Sequence, residues 1–155
     1  AVRSLEETPV ASHNIYEQQY QMAIFLQQFY QGQVVAANDI GAINYYAEFH
    51  LVDLTGLATR ESAAFKLQQN YSAQQVATVA EQYNTQIAMV YDSWFQIPIA
   101  WIKVGEWQIT DNVVCGDSVV SFYAMEPRAE LALNANLQSF ASQLPGDVIQ
   151  RDFYR

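Results

Sequence analysis

The stretch Val34-Val35-Ala36-Ala37-Asn38-Asp39 decides how the rest of the chain is interpreted. Its first four residues form a short continuous apolar run, which is typical of a strand buried on both faces of a parallel sheet. His50-Leu51-Val52-Asp53-Leu54 and Ile87-Ala88-Met89-Val90-Tyr91 have the same character, and helical patterns separate the three runs. This alternation predicts an α/β fold in which strands near 34–38, 50–54 and 87–91 are parallel, with right-handed crossovers between them.

The pattern changes after the third run. Residues 99–109 and 119–125 are predicted strands with no helix between them, and Cys115-Gly116-Asp117 is predicted to form a turn. Two such strands are expected to pair antiparallel. The expected architecture is a three-layer sandwich with a mostly parallel central sheet and an antiparallel edge pair.

The length and the flanking segments indicate one domain. The chain has 155 residues, of which 51% are apolar or aromatic, enough for a single core. Residues 1–13 are polar and include Pro9, so we expect an arm or linker there. Residues 14–146 are expected to form a single α/β domain, and residues 147–155 a polar C-terminal tail.

Helix boundaries are predicted from capping signals. Asn14 with Glu17 resembles a capping box that starts a helix over residues 15–31, and Gly32 is the expected stop. We also expect a short helix over 40–47 and a helix over 61–70. A capping box formed by Ser72 and Gln75 is expected to start the next helix, and Pro127 is expected in the first turn of the last helix.

Charge and composition exclude several functions. Sixteen acidic residues against seven Lys and Arg give a formal net charge of −9. Because nucleic acids and anionic headgroups require clustered basic residues, we expect no nucleic-acid partner. The sequence contains no run of about 18 apolar residues that would span a membrane. It also contains no GxGxxG motif, P-loop or GxSxG motif, so no cofactor is expected.

Candidate chemistry lies at the carboxyl ends of the predicted strands, where open α/β sheets bind ligands. Asp39, Asp53 and Asp92 occur at these positions. Grouped carboxylates bind a divalent ion or accept hydrogen bonds from sugar hydroxyls. The preferred interpretation is structural: Asp39 caps the helix that starts at Ile40, and the others accept backbone N–H groups in turns. No histidine accompanies them at a metal-ligand spacing, so no metal site is expected.

The aromatic residues and the single cysteine are two further features of the sequence. The chain contains more aromatic residues than a small core requires. Such residues pack in cores, stack on sugar rings or lie at interfaces. The residues concerned are Tyr45, Tyr46, Trp94, Phe95, Trp101 and Trp107. Cys115 is the only cysteine, and it has no matching base motif. It is therefore interpreted as a small, partly buried turn residue.

Two motifs carry a resemblance to a known family. The first motif runs from Val34 to Tyr46 and includes Asn38-Asp39-Ile40-Gly41-Ala42. The second motif is Leu51-Val52-Asp53-Leu54-Thr55-Gly56-Leu57-Ala58. They resemble the soluble C-terminal domain of some bacterial multi-pass membrane glycosyltransferases that use polyprenyl-phosphate-linked sugars. In that family, a strand ending in Asn-Asp-Ile-Gly-Ala leads into a Tyr-rich helix, and a later strand ends in Val-Asp-Leu-x-Gly-Leu. The likeness extends more loosely over residues 14–145.

The resemblance implies a location and a role. The domain would follow transmembrane helices of the same polypeptide and lie on the extracytoplasmic face of the bacterial cell membrane, in the periplasm or outside. Catalysis in the family uses acidic residues in loops of the membrane part, so the resemblance implies no catalytic residue in this chain. We expect a non-catalytic accessory domain that helps to bind the acceptor or covers the membrane-embedded active site. A glycan or lipid-linked sugar is its candidate ligand.

The candidate ligand-binding residues are the polar and glycine positions of the motifs together with the third aspartate: Asn38, Asp39, Gly41, Asp53, Gly56 and Asp92. Two alternatives stay open. One is a stand-alone interaction or dimerisation domain, and the other is a Rossmann-like enzyme that uses Asp39, Asp53 and Asp92.

Overall fold

The computed structural model describes residues 2–39, 41, 43, 50–67 and 71–153, except for the side chains of residues 2–7. The chain begins with α1 (Val2–Ile15), a π-helical segment (Tyr16–Tyr20) and α2 (Gln21–Phe29), which follow one another without a break. The later elements follow in chain order: β1 (Val34–Ala37), β2 (His50–Asp53), α3 (Arg60–Leu67), α4 (Ala73–Gln82), β3 (Ile87–Val90), a 3₁₀ turn (Asp92–Trp94), β4 (Ile102–Gln108), β5 (Val119–Ala124), α5 (Pro127–Phe140), a 3₁₀ turn (Ala141–Gln143) and β6 (Ile149–Asp152).

The strands form one six-stranded mixed sheet in the order β2-β1-β3-β5-β4-β6. The strand β1 is parallel to both β2 and β3, so that Val35 pairs with Leu51 on one side and with Ile87 on the other. The strand β5 is antiparallel to β3 and β4, and β6 is antiparallel to β4. The predicted α/β fold, with a mostly parallel centre and an antiparallel edge, is confirmed.

Two apolar layers enclose the sheet. On one face, α2 and α5 pack against an aromatic cluster in which the Phe25 ring lies 5.5–5.6 Å from the rings of Trp107, Phe122 and Phe140. On the other face, Val76 and Val79 of α4 pack against side chains of the three parallel strands. Neighbouring residues of a strand therefore contribute to opposite layers, as β-structure requires.

The N-terminal helix differs from the expected arm. Residues 2–13 are helical, and Pro9 lies inside α1. Asn14 is not an N-cap: it is 1% exposed, its Nδ2 donates to the Thr110 carbonyl at 3.3 Å, and its Oδ1 accepts the Val113 N–H at 3.0 Å. The side chain that resembles a capping signal thus holds the loop before β5 against the helix. This long-range contact outweighs the local signal.

The π-helical segment explains why the predicted apolar face of the first helix is only partly correct. Met22 and Leu26 are buried as expected, whereas Ile15 is exposed and Glu17 is buried. A π-helical turn adds one residue to the helical ring and rotates the residues before it relative to those after it. Its five residues therefore shift the phase of the helix between Ile15 and Met22.

Several local predictions are confirmed. Ser72 and Gln75 form a capping box, Pro127 lies in the first turn of α5, and Gly32 ends the first helical region with a φ of 71°. The fourth strand is shorter than expected because Trp101 N–H donates to the Pro98 carbonyl in a turn. Most of the predicted helix over 40–47 lies outside the described residues, as do Tyr45 and Tyr46.

The predicted C-terminal tail contains an edge strand. In β6, Arg151 pairs with Glu106 across the ladder, and Gln150 Oε1 accepts the indole N–H of Trp107 at 2.9 Å. Within β6 itself only Ile149 is apolar, and it is exposed, so the polar pattern concealed the strand. No helix in the described ranges is long and apolar enough to cross a membrane.

Candidate functional site

The candidate site lies at the carboxyl edge of the parallel strands. From β1 the chain leads to β2 on one side of the junction between β1 and β3, and from β3 it leads to β4 on the other side. The two connections leave the sheet in opposite directions at the β1–β3 junction, and such a switch point is where open α/β sheets form a ligand crevice.

A cleft of about 580 Å³ opens at this junction; we call it the rim cleft. Its lining residues come from the ends of β1 and β2, from the helices beside them and from the loops after β3 and before β5: Gln19, Asn38, Asp39, Gly41, Thr55, Leu57, Lys66, Trp94, Val114 and Gly116. Three of the six candidate ligand-binding residues, Asn38, Asp39 and Gly41, therefore line one cleft.

Asn38, which lines the rim cleft, has a buried side-chain donor without a partner among the described residues. Its side chain is 2% exposed, and its Oδ1 accepts the backbone N–H of Tyr91 at 3.1 Å. Because that N–H requires an acceptor, the orientation of the amide is determined chemically. The amide nitrogen, Nδ2, is buried and has no hydrogen-bond partner among the described residues. A buried unpaired donor costs about 1–3 kcal/mol, so a ligand oxygen at this position would stabilise the domain.

Asp39 provides an acceptor beside that donor. Its Oδ2 accepts the Gln19 side-chain N–H at 2.5 Å and lies 3.0 Å from the Tyr91 hydroxyl. The same hydroxyl is 2.6 Å from Gln18 Oε1, so its one proton faces two acceptors. Burial, and then the Asp39 charge, raise the pKa of Tyr91, which therefore stays protonated. Asp39 Oδ1 lies on the side of Gly41, 3.9 Å from where a Cβ of that residue would be.

The space around position 41 does not require a glycine there. A Cβ there would meet only Asp39 Oδ1, at 3.9 Å, among the described residues. The cap that Asp39 was expected to form on a helix from Ile40 falls outside the described residues. The observed contacts of Asp39 instead join β1 to the π-helical segment and to the end of β3.

Asp53 and Gly56 form the turn after β2, as the structural interpretation predicts. Asp53 is fully buried, and its carboxylate accepts the Thr55 N–H at 2.7 Å, the Ala58 N–H at 2.6 Å and the Thr55 hydroxyl. Gly56 has a φ of 81°, and a Cβ there would lie 2.7 Å from the Ala63 backbone nitrogen. Both residues shape the rim, and neither lines the rim cleft.

Asp92 lies on the other face of the sheet. Its carboxylate pairs with Lys103 Nζ at 3.0 Å and accepts the Tyr123 hydroxyl proton at 3.0 Å. Tyr123 packs in the layer opposite to that of Tyr91. Among the described residues, the three aspartates form no group of neighbouring ligand atoms. The three aspartates lie at or just after the ends of parallel strands that finish at the same edge of the sheet, but their carboxylates do not form one ligand cluster.

The wall of the rim cleft comes from residues that the motifs did not indicate. Trp94 is 47% exposed, and its ring lies 5.3 Å from that of Tyr91. A Cβ at Gly116 would lie 2.4 Å from Trp94 Cζ2, so only glycine permits this packing. The excess of aromatic residues and the turn at Gly116 could be identified from the sequence. The contact between Trp94 and Gly116 could not, because it depends on the pairing of β3 with β5.

Cys115 is structural, as predicted. It is 8% exposed, and its thiol lies 3.6 Å from the Asn14 carbonyl oxygen. Burial and the nearby Asp39 and Glu17 charges raise the pKa of the thiol to about 11. A thiol with this pKa is a poor nucleophile at neutral pH.

The fold and the rim cleft define an α/β domain with a polar crevice at its topological switch point. The sequence profile of a domain of unknown function (DUF8728) matches residues 13–123, and the chain belongs to this family. The matched region runs from the end of α1 to β5 and contains all the residues that line the rim cleft. No curated protein and no solved structure matches the chain.

Proposed function

We propose that this domain is a non-catalytic accessory domain of a membrane glycosyltransferase, and that its rim cleft binds the glycan of the acceptor or of the lipid-linked donor. The observation that carries the proposal is the buried Asn38 amide, whose Nδ2 has no partner among the described residues and which lines the rim cleft. An unpaired donor at this position favours a ligand that supplies an oxygen acceptor.

The other groups of the rim cleft suit a sugar. Each sugar hydroxyl both donates and accepts, and Asn38 Nδ2 with Asp39 Oδ1 offers a donor beside an acceptor. The half-exposed ring of Trp94 provides an apolar face of the kind on which sugar rings stack. Lys66 adds a positive charge at the same cleft, which suits the phosphate of a lipid-linked sugar.

A binding role is favoured over a catalytic one because the aspartates are already engaged. Asp53 accepts three hydrogen bonds in its own turn, and Asp92 pairs with Lys103. The paired-carboxylate mechanism of glycoside hydrolysis requires two carboxylates that flank one bond. The alternative of a Rossmann-like enzyme using Asp39, Asp53 and Asp92 therefore has little support.

The setting of the domain follows from the resemblance. The motif residues Asn38, Asp39 and Gly41 line the rim cleft, which agrees with a role of the shared motif in binding. On this proposal the partner is the transmembrane part of the same polypeptide, and the domain lies on the extracytoplasmic face of the membrane.

An interaction domain is the second candidate, because apolar side chains surround the mouth of the rim cleft. Leu57 is 83% exposed, and Val114 and Trp94 are each about half exposed. Exposed apolar residues grouped around a crevice are typical of protein interfaces. Sedimentation velocity of the 155-residue chain tests self-association, which would favour this candidate over the glycan site.

Calorimetric titration of the chain with a panel of methyl glycosides, and with a short-chain polyprenyl-phosphate sugar, tests the glycan site. We expect millimolar or tighter binding of at least one probe. It should be lost in Trp94→Leu and largely retained in Trp94→Phe, which keeps an aromatic face. No binding of any probe, or equal binding by the two variants, would contradict the proposal. Sugar transfer catalysed by this chain alone would contradict the non-catalytic role.

A further inference from the structure

A second cluster of polar side chains lies away from the rim cleft, where the first helix meets the turn after α5. His13 Nε2 is 2.9 Å from Asp147 Oδ2 and 3.1 Å from Glu17 Oε1. His13 lies in the last turn of α1, Glu17 lies in the π-helical segment, and Asp147 lies in a turn closed by the hydrogen bond from Val148 N–H to the Pro145 carbonyl.

The protein groups alone do not satisfy this cluster. The Glu17 side chain is 1% exposed, and its Oε1 has no hydrogen-bond partner among the described residues. The Nε2 atom of His13 carries at most one proton, and its hydrogen bond is formed with Asp147. Glu17 Oε1 therefore lies near His13 Nε2 and the Asp147 carboxylate without a hydrogen bond to either group.

We propose that His13 Nε2, Glu17 Oε1 and Asp147 Oδ2 bind a divalent transition-metal ion of the zinc class. The three atoms lie within 4.8 Å of one another. Zinc–ligand bonds of about 2.0–2.2 Å in a tetrahedral site place ligand atoms about 3.3 Å apart, close to the two distances from His13 Nε2. A small outward shift of the side chains would admit the ion.

The donor set selects the class of ion. An imidazole nitrogen with two carboxylates suits zinc and its neighbours, whereas magnesium and calcium prefer oxygen ligands alone. Two positive charges on the ion neutralise the two carboxylates, one of which is buried. His13 and Asp147 are about half exposed, so water would complete the coordination.

The ion would act as a clip between distant parts of the chain. His13 and Asp147 are 134 residues apart in sequence, and the ion would fix the first helix against the turn that leads into β6. A ligand that binds only the folded state raises stability by mass action, so the metal would raise the melting temperature. This inference is independent of the glycan site, since none of its three residues lines the rim cleft.

The test is calorimetric titration of the metal-depleted 155-residue chain with zinc chloride, together with visible spectroscopy of the cobalt(II)-loaded chain. We expect one zinc ion per chain with a dissociation constant in the micromolar range or tighter. Cobalt(II) should give the absorption bands of a low-coordinate site, and zinc should raise the melting temperature.

Asp147→Asn and Glu17→Gln each remove one charged ligand and should weaken zinc binding at least tenfold. The matched control is Asp111→Asn, because Asp111 is exposed and its φ of 49° suits asparagine. Circular dichroism verifies the fold of each variant, and Asp147, at the surface, tests the proposal if Glu17→Gln fails to fold. The proposal is overturned if the parent binds no zinc, as a proton shared by the two carboxylates would predict, or if Asp147→Asn binds zinc like Asp111→Asn.

Discussion

The backbone N–H of Tyr91 donates a hydrogen bond of 3.1 Å to Asn38 Oδ1, which joins the end of β1 to the end of β3. These two strands flank the topological switch point of the sheet. The bond therefore fixes the edge of the rim cleft, and it leaves the buried Asn38 amide nitrogen without a hydrogen-bond partner among the described residues.

Glycine substitutions test the turn after β2. Gly56→Ala should destabilise the domain more than Gly32→Ala, although both residues have a positive φ. At Gly32 an added Cβ meets nothing within 4 Å, so the cost is backbone strain alone, about 1–2 kcal/mol. At Gly56 the Cβ also lies 2.7 Å from the Ala63 nitrogen. Urea denaturation measures both variants, and equal losses would contradict the proposed packing.

Asp53→Ala tests the structural role of the second aspartate. The substitution removes the acceptor of the Thr55 and Ala58 N–H groups, and we expect a loss of about 1–3 kcal/mol in the free energy of unfolding. Asp152→Ala, on the exposed edge strand, is the control and should change stability by about 0.5 kcal/mol or less. If Asp53→Ala is as stable as this control, the carboxylate does not hold the turn.

The pH dependence of stability tests how β6 is held. Glu106 accepts hydrogen bonds from Arg151 at 2.8 Å and pairs with Lys103 at 3.0 Å. Burial raises the pKa of Glu106, but these two cations outweigh burial and the net pKa is lowered. The stabilisation is therefore fully present above the unfolded pKa and is lost as pH falls through the lowered folded pKa.

Glu106→Gln provides the comparison. We expect it to be less stable than the parent by about 1 kcal/mol at neutral pH, and the gap should close as pH falls below the unfolded pKa and through the lowered folded pKa of Glu106. Thermal or urea denaturation as a function of pH measures the gap. A gap that stays constant in acid would show that the Glu106 charge does not stabilise the edge strand.

The central strands were predictable because each is a continuous apolar run between helical patterns. The position of Asn38 and Asp39 at the rim cleft was predictable because they follow such a run. The edge strand β6 was not, since its residues are polar and its ladder with β4 is formed at long range. Asn14 was misleading, because its side chain satisfies a distant loop instead of the helix start.

The wall of the rim cleft and the cluster of His13, Glu17 and Asp147 could not be predicted for the same reason. Trp94 meets Gly116 only because β3 pairs with β5. His13 and Glu17 are four residues apart, but Asp147 lies 134 residues from His13, so local spacing does not mark the complete cluster. Local signals predict elements, whereas these sites depend on the pairing of elements.

The most direct test of the glycan site compares two matched substitutions, Asn38→Asp and Asn84→Asp. The first keeps the acceptor for Tyr91 N–H and replaces the buried amide donor with an oxygen. The second makes the same chemical change at an exposed residue before β3 with a φ of 52°, a conformation that aspartate adopts.

The measurement is the dissociation constant of the methyl glycoside that binds the parent most tightly, determined by calorimetry on variants whose circular dichroism matches the parent. The account predicts at least tenfold weaker binding by Asn38→Asp, about 1.4 kcal/mol, and unchanged binding by Asn84→Asp. Asp39→Asn, which converts the neighbouring acceptor into a donor, should also weaken binding. Parent-like binding by a folded Asn38→Asp, or the absence of glycoside binding by the parent, would contradict the account.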